Sequence, residues 1–146
     1  SRMGTAHLLG PLAASTSRLP LFSSRVPAGF PSPAQDHMED RISLDRLLDI
    51  DAPHTYLVQA EGDSMTGAGI FDGDVLVVSR ARPAVDGDIV IAALDGDAFV
   101  KRLAQRDGRT LLCSENPRFA ARPVQDGDEL LIWGVVVASI RRHAHG

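Results

Sequence analysis

From Tyr56 onward, short apolar runs alternate with breaks rich in glycine and aspartate. The runs are Tyr56–Ala60, Val75–Val78, Ile89–Leu94, Ala98–Leu103, Thr110–Cys113 and Leu130–Ile140. Runs this short, bounded by turn residues, predict strands rather than helices. Many short strands joined by tight turns predict a small, mostly antiparallel β domain over residues 54–146. The clearest hairpin is Ile89–Leu94, the turn Asp95-Gly96-Asp97, and Ala98–Leu103. Side chains alternate along a strand, so Phe99, Lys101 and Leu103 share one face of its second arm.

The first third of the chain has another texture. Residues 1–28 are rich in Ser, Ala, Pro and Leu without a clear period, and predict a flexible N-terminal arm. Gly29-Phe30-Pro31-Ser32-Pro33 follows, and its two prolines favour extended backbone. Ile42, Leu44, Leu47 and Leu48 lie among charges between Asp36 and Ile50, which predicts a short amphipathic helix opening near Ser43. Pro53 ends it, so residues 29–53 read as an extended linker with a short helix.

Asp-Gly-Asp recurs at 72–74, 86–88, 95–97 and 126–128. A calcium loop would need further oxygen ligands at fixed offsets and a distant Glu, and that pattern is absent. The copies read instead as hairpin turns in which glycine supplies a positive φ.

Charge and composition narrow the function. The net charge is −4, but residues 1–28 hold Arg2, Arg18 and Arg25 and no acid, so the remainder is more acidic still. An acidic domain is a poor match for sequence-independent DNA binding, which replaces counterions with basic surface. No apolar run reaches the ~18 residues that span a bilayer. Cys113 is the only cysteine, which fits a reducing, cytoplasmic setting. No metal or cofactor is called for.

Ser64 lies in Glu61-Gly62-Asp63-Ser64-Met65, where a predicted strand gives way to a glycine-rich bend. Such a bend can project a hydroxyl and align backbone N–H groups on an oxyanion. Taken alone, it is the setting of an ordinary turn serine. The five histidines lie outside the predicted strands, so a Ser-His-Asp triad has no visible support. Lys101 is the only lysine, and arginine cannot act as a base near neutrality. Burial between Phe99 and Leu103 would lower its pKa; the bland alternative is a lysine snorkelling from a strand edge.

Gly62-Asp63-Ser64-Met65, Asp72-Gly73-Asp74, Gly87-Asp88-Ile89-Val90 and Val100-Lys101-Arg102-Leu103 together resemble the peptidase domain of the LexA/UmuD group. Gly29-Phe30-Pro31-Ser32-Pro33-Ala34 is similar to the UmuD branch, and Asn116-Pro117 and Trp133-Gly134-Val135-Val136 continue the likeness. The resemblance implies a mostly β serine–lysine peptidase domain preceded by a mobile arm. It implies Ser64 as nucleophile, Lys101 as general base, Ala28–Gly29 as the scissile bond, and the Ser64 and Met65 N–H groups as oxyanion donors. It further implies an SOS-response role. A RecA filament on single-stranded DNA would stimulate self-cleavage. The shortened homodimer would then join a UmuC-type Y-family polymerase in lesion bypass. UmuD has Cys-Gly at the cut where this chain has Ala28–Gly29.

Three alternatives stay open. A LexA-type repressor would need a helix-turn-helix, which residues 1–28 do not supply. A signal peptidase would need a membrane anchor. A β-rich interaction module would carry the serine and lysine incidentally.

Overall fold

A computed structural model of the chain describes residues 6–11, 18–22, 38–48 and 52–144. The chain divides into two units, residues 1–12 with 51–146 and residues 13–50. In chain order the strands are β1 (Ala6–Pro11), β2 (Arg18–Phe22), β3 (Met38–Ser43), β4 (Thr55–Ala60), β5 (Val75–Ser79), β6 (Ile89–Leu94), β7 (Asp97–Arg106), β8 (Arg109–Cys113), β9 (Arg122–Pro123) and β10 (Leu130–Ile140).

The larger unit is one antiparallel sheet in the order β1-β4-β5-β10-β6-β7-β8-β9. The mostly β, antiparallel expectation holds, and all six expected strands form. Long β10 lies mid-sheet between β5 and β6, with register shifts at Ile132/Gly134 and Val136/Ala138. Such shifts bend and twist a strand. Both sheet faces carry apolar clusters. One gathers Val58, Met65, Ile70, Leu76, Val78, Ile91 and Val100. The other gathers Val90, Ala92, Leu94, Leu103, Leu112 and Val135. Neighbours such as Val90 and Ile91 therefore bury opposite faces. That is why β5 and β6 read as unbroken apolar runs rather than alternating ones.

The smaller unit pairs β2 with β3 antiparallel, Leu19 opposite Ile42. A single helical turn, α1 (Leu44–Leu47), follows, its N-cap Ser43 Oγ accepting the Arg46 N–H at 3.2 Å. The expected helix thus opens at Ser43 but lasts one turn, and Met38–Ser43 is strand. Leu44 and Leu47 are half exposed, so little packing is present to extend a helix. Within residues 1–28, Ala6–Pro11 pairs with β4 and Arg18–Phe22 pairs with β3.

The Asp-Gly-Asp copies separate into two kinds. At 95–97, Asp95 and Gly96 both have positive φ (51° and 90°) and join β6 to β7 as a two-residue hairpin. The other three are not hairpin loops but lead-ins to β5, β6 and β10. In each, the second Asp N–H donates to the carbonyl three residues back. Its carboxylate accepts that same residue's N–H: Phe71 to Asp74, Val85 to Asp88, Gln125 to Asp128. Among the described residues no group of His, Cys, Asp and Glu is placed to hold a metal ion.

Candidate active site

The segment between β4 and β5 carries Ser64, and its ends are clamped together. Ala60 donates to the Asp74 carbonyl at 2.8 Å, and the Gly73 N–H donates to the Ala60 carbonyl at 2.8 Å. Inside the loop the Gly62 N–H donates to Asp72 Oδ1 at 2.8 Å, with Gly62 at φ 90°. Met65 anchors the loop in the core, and its carbonyl accepts from Ala68 and Ile70.

The β7–β8 hairpin holds this loop from the other side. The Glu115 N–H donates to the Ser64 carbonyl at 2.8 Å, and the Gly67 N–H donates to the Glu115 carbonyl at 2.6 Å. Asn116 Nδ2 donates to the Asp63 carbonyl at 2.9 Å. Arg102 on β7 pairs with Glu115, so the segment that grips Ser64 is itself tied to the strand that carries Lys101.

Lys101 lies on β7 opposite Val90 of β6. Its Nζ donates to Ser64 Oγ at 2.9 Å and to Ser114 Oγ at 3.0 Å. Ser64 has no exposed surface and Lys101 is 5% exposed. Phe99, Leu112, Ala120 and Arg122 line a small pocket beside Lys101 and Ser114. Burial pushes the Lys101 amine down from 10.5 to about 8, because an ammonium there has lost its water. A hydroxyl in hydrogen-bond range of an amine that is partly neutral near pH 7–8 can be deprotonated as it attacks a carbonyl.

The structure therefore brings Ser64 and Lys101 together and buries Lys101 rather than leaving it at an edge. Ala28 and Gly29 lie outside the described residues.

A family model for Peptidase S24-like proteins matches residues 20–137. The chain belongs to that family. It is similar to the protein SamA of Salmonella typhimurium, 44% identical over 126 residues, covering 86% of this chain and 87% of SamA. The Escherichia coli protein ImpA is 41% identical over 131 residues, 84% of this chain and 83% of its own length. The LexA repressor of Bordetella avium is 42% identical over 135 residues, 92% of this chain. This chain spans only 63% of that repressor's length. The resemblance to the LexA/UmuD group is borne out. No helix among the described residues is long and apolar enough to cross a membrane.

In this Peptidase S24-like chain, several positions around Ser64 escape the sequence reading. Ser114 follows β8, and the Asp107-Gly108 turn places it. That two-residue hairpin sets Arg106 opposite Arg109 and Arg102 opposite Cys113, so one step further puts Ser114 opposite Lys101. Asp74 is 2% exposed, and Arg141 beyond β10 reaches it with Nε at 2.8 Å and Nη2 at 2.9 Å. Arg141 also stacks on Phe71, 4.2 Å from the ring centroid. The Arg141 bonds, and the Phe71 N–H, hold the Asp74 carboxyl below its ordinary 3.8.

A lowered carboxylate pKa stabilises the fold above the unfolded value, and the gain is lost as the pH falls through the native one. Asp74→Ala leaves the Phe71 N–H without its acceptor. It is expected to cost about 2 kcal/mol at neutral pH. In urea denaturation the gap from wild type is expected to narrow as the pH falls below 3.8 and through the lower native value, because the part owed to Arg141 is lost.

Proposed function

We propose that this chain is a UmuD-like peptidase that cuts its own Ala28–Gly29 bond. In this reading a RecA filament on single-stranded DNA stimulates the cut. The shortened homodimer then serves a UmuC-type, error-prone Y-family polymerase in the cytoplasm. Residues 1–28 are the piece released, 29–53 the linker and 54–146 the peptidase domain. The observation that carries the reading is the 2.9 Å contact between Lys101 Nζ and Ser64 Oγ in a Peptidase S24-like chain.

Neutral Lys101 takes the proton from Ser64 Oγ as that oxygen bonds to the carbonyl carbon of Ala28. The Ser64 and Met65 N–H groups donate to the oxyanion. The C–N bond then breaks, and the Lys101 ammonium returns its proton to the departing Gly29 amine. Water hydrolyses the Ser64 ester, Lys101 again accepting the proton. Small residues on both sides of the bond let the carbonyl reach near-attack range, ~3–3.5 Å. A nucleophile with no exposed surface suits one tethered substrate better than free peptides.

Mass spectrometry of the chain after alkaline incubation is expected to show a new N-terminus at Gly29. A RecA filament should produce the same cut near neutral pH, where the amine is mostly protonated. An intact chain under both conditions, or a cut elsewhere, would overturn the reading. The LexA match favours a second reading, in which the same peptidase controls a repressor. Tight, specific binding to operator DNA in a gel-shift assay would select it.

A further inference from the structure

We propose that Ser114 is a positioning residue for the peptidase reaction: its hydroxyl holds one N–H of Lys101 so that the amine's lone pair faces Ser64 Oγ. The inference rests on the serine–lysine reading above and deepens it.

A neutral amine has two N–H donors and one lone pair, and only the lone pair can receive the proton of Ser64. An amine at the end of a four-carbon stem can rotate about its last bond and present either. Two hydroxyl oxygens stand within hydrogen-bond range of Nζ, Ser64 Oγ at 2.9 Å and Ser114 Oγ at 3.0 Å. If Ser114 accepts an N–H, the lone pair is free to turn to Ser64. Without that acceptor, an N–H can rotate onto Ser64, a bond that hinders rather than helps proton removal. Ser64 lies in the loop clamped by Glu115, whereas Ser114 closes the hairpin that carries the base.

The charged groups on neighbouring elements do not replace this contact. Arg102 and Glu115 pair with each other, and Arg118 stands 3.8 Å from Asp63. Arg122 lines the small pocket and lies 3.9 and 3.8 Å from Asp95 and Asp128. The side chains of Phe99 and Leu112, which line the same pocket, offer no acceptor.

Two measurements test the proposal. In alkaline self-cleavage, Ser114→Ala is expected to lower the plateau rate about tenfold or more, a fraction of the ~10²–10⁴ from a positioned acid–base group. Ser114→Thr, which keeps a hydroxyl, should restore most of it. Because Lys101 is the only lysine, a chain labelled with lysine carrying 13C at Cε gives one side-chain signal, read whether or not the chain cuts. Its titration midpoint is expected to move lower in Ser114→Ala, since an ammonium gains more than an amine from the hydroxyl acceptor. A wild-type plateau or an unmoved midpoint in Ser114→Ala overturns the proposal. So does a rate loss that tracks a fall in thermal midpoint and is not rescued by Thr. Lys101→Ala separates the two readings. If it still cuts at the wild-type rate, the dyad itself fails; if it is dead while Ser114→Ala cuts normally, only the Ser114 inference fails.

Discussion

Replacing Lys101 with Ala, Arg or Met is expected to leave Ala28–Gly29 intact across about pH 7 to 10, a loss of at least ~10³-fold, and Ser64→Ala to match it. Arginine is the informative member. It keeps a cation on the same strand but cannot be deprotonated, so a lysine serving only as a buried charge would tolerate it and a base would not. The wild-type rate has a matching pH dependence. With the amine at about 8, roughly a tenth is neutral at pH 7 and roughly nine-tenths at pH 9. Cleavage should therefore rise about tenfold over that interval and level off above it. A rate flat from pH 7 to 10 would remove Lys101 as the base.

The same burial predicts a stability effect independent of catalysis. The native amine, at about 8, lies below its ordinary 10.5, so between those values the unfolded chain holds more protons than the folded one. Stability then rises with pH across that window, by about 3 kcal/mol at 1.36 per unit. Denaturation of the Ser64→Ala chain, which does not cut, should show this rise. The same chain with Lys101→Met should lack it. An identical pH profile in both would mean that the ammonium is not buried as the structure places it.

Much of this centre could be read from local pattern. Asp95-Gly96 fixes the β6–β7 register, which puts Lys101 opposite Val90 inside a buried ladder. Asp107-Gly108 does the same for β7–β8, and following it one pair further would have found Ser114. Other features left no such mark. The grip on Ser64 runs through backbone atoms of Glu115, which any residue but proline would supply there. Asp74 and Arg141 are 67 positions apart, and nothing near either one announces the other. β1 lies at the end of the sheet order and contains Gly10 and Pro11, so it lacks the alternation that marks β7. The three Asp-Gly-Asp lead-ins look identical in sequence to the hairpin copy. They differ only in where the following strand finds its partner.

Gly67→Ala is expected to damage the site from a distance without touching either reacting side chain. A Cβ at Gly67 would fall on the Glu115 carbonyl oxygen and lie 3.2 Å from its carbonyl carbon. Backbone atoms cannot rotate away as a flexible side chain could. The collision must part Gly67 from Glu115, and with it the 2.8 Å bond from the Glu115 N–H to the Ser64 carbonyl. Overpacking of this kind costs about 1–3 kcal/mol. Displacing Ser64 by about 1 Å from Lys101 should slow self-cleavage by about 10²-fold. Gly69→Ala is the control. Gly69 sits at φ 81° with open space around its Cβ position, so alanine there meets backbone strain of about 1 kcal/mol but no clash with Glu115. If loop stability alone governs the rate, the two variants should slow cleavage in proportion to their loss of stability. If the Glu115 clamp aims the nucleophile, Gly67→Ala should lose far more rate per unit of stability than Gly69→Ala. Equal proportionality in both would count against the clamp.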